Sequence, residues 1–262
     1  MRALAVRVIS LTWRGVGMNE EGTQRTVIVT GGVRGIGRGI SELLKKQGYE
    51  VVAGFGSNVA AAEKFTSETG IAAYKWDVGD FDACQTTIQK IAETHGTPTI
   101  VVNNAGITRD GTLKRMTPQM WHDVINTNLT SVYNMCKAVW MGMIAENFGR
   151  IVNISSVNGQ AGQYGQVNYC AAKAGVIGMT KAMAQEGARN GITCNAVAPG
   201  YVDTDMVAAV PKDVLEKIVG TVPIGRLGDP MEIGRAVSFL CREDSQFITG
   251  STISINGGQH MY

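Results

Sequence analysis

No apolar run in the sequence approaches the roughly 18 residues that a membrane-crossing helix needs, so no membrane partner is expected. Basic runs are missing too, as is any lysine patch interleaved with aromatics. Charged residues make up only 18% of the chain, and the formal net charge is +2. A nucleic-acid partner is therefore not expected, since it would call for clustered cations against the phosphates. The five cysteines, Cys84, Cys136, Cys170, Cys194 and Cys241, include no C-x-x-C pair. An odd, scattered set argues against a disulfide framework and against a zinc site, so no metal is expected. Reduced core thiols fit a cytoplasmic protein.

What is present is apolar and rich in glycine. Hydrophobic residues are 44% of 262, and the 33 glycines fall largely in short, loop-like clusters. The length suits one large α/β domain or two small ones. The first 24 residues, MRALAVRVISLTWRGVGMNEEGTQ, stand apart: they carry Arg2, Arg7 and Arg14 and no acid before Glu20. This composition suits a targeting peptide, although Arg7 interrupts it too early for a secretory apolar core. The alternative, favoured here, is an extension added ahead of a start at Met18. Either way residues 1–24 are expected to be a disordered appendage and 25–262 the folded domain.

From Thr26 onward, short apolar runs alternate with helical patterns. TVIVT, YEVVAG, IAAYKWD, TIVVN, RIVNIS, ITCNAVAP and STISIN read as strands. Their nearly continuous apolar character marks parallel strands covered on both faces. Between them, segments such as GISELLKKQG and ACQTTIQKIAETHG place apolar residues at helical spacing. Strand–helix alternation with no repeat, low-complexity tract or linker predicts one α/β domain, a doubly wound seven-stranded parallel sheet with helices on both faces.

TGGVRGIG, Thr30 to Gly37, follows the first strand and opens a helix. Gly31, Gly35 and Gly37, with Ile36 between the last two, allow a tight turn that brings backbone close to a pyrophosphate and aims free helix N–H groups at it. A dinucleotide is the expected cofactor. The second strand ends in VVAGFGSN, without the acid that binds a ribose 2′-hydroxyl. Arg34 within the turn, helped by Ser57 and Asn58, suits a 2′-phosphate instead, which points to NADPH. Asp77 and Val78 after the third strand are candidates for the adenine. Asn104, Ala105 and Gly106 of VVNNAG, at a strand's carboxyl end, are candidates for lining the cofactor. In APGYVDTDM, Pro199 and Gly200 break the sixth strand beside the expected nicotinamide, and Thr204 is placed to bond its carboxamide. The segment from about Val202 to Val222 is expected to be a mobile cover.

Ser156, Tyr169 and Lys173 form the most informative set. Tyr169 and Lys173 are four apart and share one helix face; Ser156 ends the strand RIVNIS. A free phenol has a pKa of about 10, and a nearby cation favours the phenolate. With a hydroxyl to orient the substrate oxygen, the set suits interconversion of a carbonyl and an alcohol. Asn128, in INTNLTSVYN, either bonds a neighbouring backbone or holds water in a relay to Lys173.

With TGGVRGIG, NNAG, Asn128, Ser156, Y-C-A-A-K and the PG pair in this order, the chain resembles the short-chain dehydrogenase/reductase family from Arg25 to Tyr262. The resemblance implies a Rossmann fold and a homotetramer. It implies Tyr169 as general acid or base, Lys173 on the nicotinamide ribose lowering the Tyr169 pKa, Ser156 on the substrate oxygen and Asn128 on a relay water. Within the family, NNAGITRD and the terminal NGG are similar to both 3-oxoacyl-carrier-protein reductases and acetoacetyl-CoA reductases. ISSVNGQAGQYGQVNY, PGYVDTDM and SINGGQHMY are more like the acetoacetyl-CoA reductases of polyhydroxybutyrate synthesis, in which Gln163, Tyr164, Gln166 and Tyr201 would line a small acyl pocket. Glu146 and Asn147 stand where carrier-protein reductases often carry basic residues. Val59-Ala60-Ala61-Ala62 stand where coenzyme A reductases carry a basic pair, a departure that bears on the 2′-phosphate. The expected reaction is NADPH-dependent reduction of an acyl-CoA, acetoacetyl-CoA, to (R)-3-hydroxybutyryl-CoA. The alternatives are reduction of carrier-bound 3-oxoacyl chains and, remotely, a catalytically silent NADPH-binding protein.

Overall fold

The computed structural model describes residues 17, 22, 24–204, 207 and 212–261. Seven strands form one parallel sheet in the order β3-β2-β1-β4-β5-β6-β7. They are β1 (Thr26–Val29), β2 (Glu50–Phe55), β3 (Ala72–Lys75), β4 (Pro98–Asn103), β5 (Gly149–Ile154), β6 (Ile192–Pro199) and β7 (Thr252–Ile255). Each falls on a run predicted as a strand. The α-helices with described bounds are α1 (Gly35–Lys46), α2 (Val59–Thr69), α3 (Phe81–His95), α4 (Pro118–Ile125), α5 (Ser131–Ala145), α6 (Val157–Ala161), α7 (Val167–Gly187), α8 (Lys212–Gly220) and α9 (Pro230–Cys241).

The apolar strands need cover on both faces, and they have it. Val27 and Val29 join a core with Ile40 and Leu44 of α1, Phe65 of α2 and Val237 and Leu240 of α9. Ile28, between them, points the other way, into a core with Ile88 of α3, Met135 and Val139 of α5 and Val176 of α7. Alternating side-chain direction along a strand thus splits one apolar run between two cores. Helix starts are set by local chemistry. Asn58, Asp80 and Thr117 accept backbone N–H bonds at the starts of α2, α3 and α4. Asp229 and Glu232 form a reciprocal capping box on α9, the arrangement that satisfies two orphan donors at once.

Of the stretch read as an appendage, Gly17, Gly22 and Gln24 are described. Gly17 O accepts from Arg25 N at 2.7 Å, and Gln24 Nε2 donates to Gly48 O at 2.9 Å. Gly17 and Gln24 therefore pack on the α1–β2 turn, at the sheet's amino edge. The remainder of that stretch, Met18 included, lies outside the described residues. Within the expected cover, α8 is described, while residues 205, 206 and 208–211 lie outside them.

Candidate active site

The chain runs outward from β1 to β2 and β3, then returns to start β4 on the other side of β1. That reversal opens a crevice at the carboxyl ends of β1 and β4, the place where open α/β sheets bind ligands. The two lips of the crevice are bolted together by Thr30. Its Oγ1 accepts from Asn104 N and Ala105 N, both at 3.0 Å. Asn104 Nδ2 returns bonds to Thr30 O at 2.9 Å and Gly31 O at 3.2 Å. The Asn104 amide is thus spent on the glycine turn. Thr30, the last residue of the apolar run TVIVT, carries no mark of this role in the sequence.

The glycines of this turn are dictated by space and backbone. Gly31 and Gly35 have φ of +63° and +50°, the left-handed region that glycine enters without cost. A Cβ on Gly37 would stand 2.1 Å from Gly31 O and 2.6 Å from Asn104 Nδ2. The N-cap of α1 is Arg34, which gives no side-chain bond to the helix. The first N–H groups of α1 are therefore free of a side-chain cap, as an anion seat requires. Arg34 is exposed. Thr204 lies over the turn, its Cγ2 at 3.4 Å from where a Gly35 Cβ would be. These features fit a dinucleotide.

Other expected cofactor residues are partly occupied with structure. Asp77 Oδ1 accepts from Gly79 N at 2.8 Å. Val78 O is held by Asn134 Nδ2 at 3.0 Å. Asn58 Oδ1 caps α2 through Ala61 N at 3.0 Å, and Ser57 beside it is exposed. Gly54 is glycine because Trp76 covers it: a Cβ there would stand 2.3 Å from the indole ring. Gly200, after Pro199, is packed against the Cα of Asn256, 2.9 Å from where its Cβ would be.

Ser156, Tyr169 and Lys173 come together. Ser156 follows β5 and caps α6, its Oγ accepting from Asn158 N at 3.1 Å. Gly159 lets α6 lie on α7, because a Cβ there would meet Lys173 Cβ at 2.8 Å. This brings the Ser156 hydroxyl to the Tyr169 phenol, near enough to favour the phenolate. Lys173 Nζ donates to Ile154 O at 2.7 Å and sits 5.7 Å from the Tyr169 ring centroid. A Cβ on Gly106 would lie 3.4 Å from Asn128 Oδ1 and 3.7 Å from Lys173 Nζ, so the NNAG edge, Asn128 and the lysine converge.

Nearly the whole chain, residues 31–260 from the glycine turn onward, matches the family model described as enoyl-(acyl carrier protein) reductase. The chain belongs to the short-chain dehydrogenase/reductase family. It is 57% identical to an acetoacetyl-CoA reductase of Shinella zoogloeoides over 236 residues, 90% of this chain and 98% of that one. It is 48% identical to an acetoacetyl-CoA reductase of Cupriavidus necator, over 91% of this chain and 99% of that one. It is 47% identical to a 3-oxoacyl-[acyl-carrier-protein] reductase, FabG, of Vibrio harveyi, over 93% of this chain and all of that one. As a short-chain dehydrogenase/reductase the protein is an oxidoreductase with a nicotinamide cofactor.

The electrostatics of this reductase site differ from expectation in one respect. Burial pushes the Tyr169 phenol up to about 12, against the Ser156 hydroxyl, which lowers it. Desolvation pushes Lys173, only 4% exposed, down to about 8. The depressed tyrosine that the resemblance implies is not what the protein's own groups produce, because burial disfavours both charged forms.

Asn128 answers an open question. It sits in a single π-helical turn, Asn126–Thr130, between α4 and α5. Its Oδ1 accepts from Ile107 N at 2.8 Å and its Nδ2 donates to Ile107 O at 2.9 Å. The side chain is thus a clamp on neighbouring backbone. The acyl candidates divide. Gln166 is tied in, accepting from Asn158 Nδ2 and donating to Asp110 Oδ2, both at 2.9 Å. Tyr201 is half-buried beside Asn158, and burial raises its pKa. Gln163 is exposed, and Tyr164 is 86% exposed, so neither lines an enclosed pocket. Asp110 and Asn158 went unread in the sequence; polar residues in loops give no periodicity that would single them out.

Proposed function

We propose that this protein reduces acetoacetyl-CoA to (R)-3-hydroxybutyryl-CoA with NADPH, in the cytoplasm and as a homotetramer. The observation that carries the chemistry is the convergence of the Ser156 hydroxyl and the Tyr169 phenol beside the buried Lys173, whose Nζ sits 5.7 Å from the Tyr169 ring centroid. The substrate follows from the acetoacetyl-CoA reductases at 48–57% identity that cover nearly the whole chain. The preference for NADPH rests on Arg34 in the glycine turn and on β2 ending at Phe55, followed by Gly56, without an acid. When bound, NADPH supplies the hydride that reaches C3 of the thioester.

The residues do the rest. A phenol held up to about 12 stays protonated at neutral pH, the form a reduction needs from its proton donor. Tyr169 gives that proton to the oxygen on C3 as negative charge develops there. Ser156 donates to the same oxygen, and fixed donors aimed at a developing oxyanion act strongly in a site shielded from water. Lys173, charged at pH 7 with a value of about 8, bonds the nicotinamide ribose and favours transfer of the proton off Tyr169. Asn128 holds Ile107 and keeps the NNAG edge at its distance from Lys173. Gln166 and Tyr201 bound the acyl end.

The second reading, reduction of carrier-bound 3-oxoacyl chains, is favoured by the 47% identity to the Vibrio harveyi FabG. The experiment that separates them follows NADPH oxidation with acetoacetyl-CoA, with acetoacetyl carrier protein, and with NADH in place of NADPH. The proposal expects the highest kcat/KM for acetoacetyl-CoA with NADPH. A higher value for the carrier-linked substrate would transfer the protein to fatty acid synthesis, and a higher value with NADH would remove the role given to Arg34.

A further inference from the structure

The first turn of α7 has no side-chain cap, since Gln166 at its N-cap makes no such bond. Backbone N–H groups at a helix start have no partner one turn back and must find one elsewhere. For Tyr169 the partner is its neighbour: Asn168 Oδ1 accepts from Tyr169 N at 2.8 Å. Asn168 is 0% exposed. Its Nδ2 uses both hydrogens, on Arg109 O at 3.0 Å and Met120 O at 3.1 Å. A buried amide is costly unless its donors and acceptor are met. Three bonds to three different segments leave this one a single seat.

Arg109 belongs to the stretch 107–111 that leaves the NNAG edge. Asn128 grips one end of it through both backbone groups of Ile107. At the other end Gly111 N donates to Gly165 O at 2.8 Å, and Gln166 holds Asp110. Asn168 is the buried stitch in the middle of this seam. We infer that Asn168 is a positioning residue for Tyr169: it fastens the turn that carries the phenol to the segment running from the cofactor edge, without touching the reacting atoms. The inference rests on Tyr169 being the proton donor of the proposed reaction.

The test uses the full chain with Asn168→Ala and Asn168→Ser, beside Asn195→Ala. Asn195 is as buried, 1% exposed, and makes comparable bonds, donating to Ile248 O at 2.7 Å and accepting from Ser251 N at 3.1 Å. It lies within β6, outside the seam. Turnover is measured on whichever 3-oxoacyl thioester the wild type reduces fastest, and NADPH affinity by nucleotide fluorescence. Asn168→Ala should lose about 10–100-fold in kcat, the scale on which a misplacement near 1 Å acts, with the NADPH dissociation constant unchanged. Asn168→Ser keeps one donor and one acceptor and should recover part of the loss. Asn195→Ala should lose stability and keep kcat. Wild-type kcat in Asn168→Ala, a loss residing in NADPH affinity, or an equal kcat loss in Asn195→Ala would each overturn the inference. If Asn168→Ala does not fold, Asn168→Ser decides on the same criteria. Failure of the wild type on acetoacetyl-CoA would count against the substrate reading alone, because the variants are compared on a thioester the wild type does reduce.

Discussion

Tyr169 is a weak acid made weaker by its surroundings, chiefly by burial, with the Asp110 charge acting in the same direction. A donor of this kind suits reduction, where the proton must be present before the hydride arrives. Tyr169→Phe keeps the ring and removes only the hydroxyl, and with it the transferable proton. Positioned proton transfer is worth about 10²–10⁴-fold, so kcat should fall by about that factor while NADPH binding persists. Near-normal turnover in this variant would end the assignment. Lys173→Ala should instead weaken NADPH binding and rate together, as a fluorescence titration beside initial rates would show. The residues that carry chemistry were legible because their types are rare in such company: a tyrosine and a lysine four apart, after a strand ending in serine. The residues that hold them were not. Thr30, Asp110, Asn158 and Asn168 are ordinary polar residues until folding places them between segments distant in sequence.

At the scale of elements, two joints decide the site. The first is the turn from β1 into α1, where Gly37 lies against Gly31 O. Gly37→Ala would force backbone apart, and overpacking of this kind costs about 1–3 kcal/mol. NADPH affinity should fall at least about tenfold, equivalent to roughly 1.4 kcal/mol; unchanged affinity in a folded Gly37→Ala would mean the turn does not approach the cofactor. The second joint is a buried polar ladder beneath the site. Asn103 Nδ2 donates to Asn153 Oδ1 at 2.8 Å, and Asn153 Nδ2 donates to Thr180 Oγ1 at 2.9 Å. It links β4, β5 and α7, the elements carrying the NNAG edge, Ser156 and Tyr169. Removing one member leaves buried groups unpaired, at about 1–3 kcal/mol each. Asn153→Ala should lower the denaturant midpoint accordingly, and an unshifted midpoint would show that the ladder contributes nothing. Neither asparagine stands out in VVNN or RIVNIS, which read simply as apolar strands.

For the whole molecule, burial sets the response to alkali. Desolvation raises the thiols of Cys84 to about 11 and of Cys136 and Cys241 to about 12, and raises Cys194 well above its usual range. Tyr169, at about 12, moves in the same direction. Each folded value lies above the unfolded one, so the folded chain holds more protons than the unfolded chain across the interval. Their contribution is fully present below about pH 8.5, the ordinary thiol value. It is lost as pH rises toward 11–12. Denaturant unfolding at pH 7.5 and at pH 10.5 should therefore give a clearly lower stability at the higher value. Equal stability would mean these thiols are more accessible than their burial indicates.

The sequence by itself determined the sheet, because continuous Val- and Ile-rich runs separated by helical spacing admit little besides a doubly covered parallel sheet. It also singled out Ser156, Tyr169, Lys173 and the glycine turn, since those depend on residue type and on neighbours within a helical turn. Only the tertiary structure decided what each polar residue is spent on. Asn104 was read as lining the cofactor and Asn128 as either bonding backbone or holding water, and the fold gives both amides to backbone. Arg150, in a run read as an apolar strand, is buried, donates to Arg242 O, Gly149 O, Gly191 O and Glu243 O, and stacks on Phe148. Tyr164, read as lining a pocket, faces solvent. Hydrogen bonds between segments a hundred residues apart leave no periodic trace in a sequence, whereas an apolar face does.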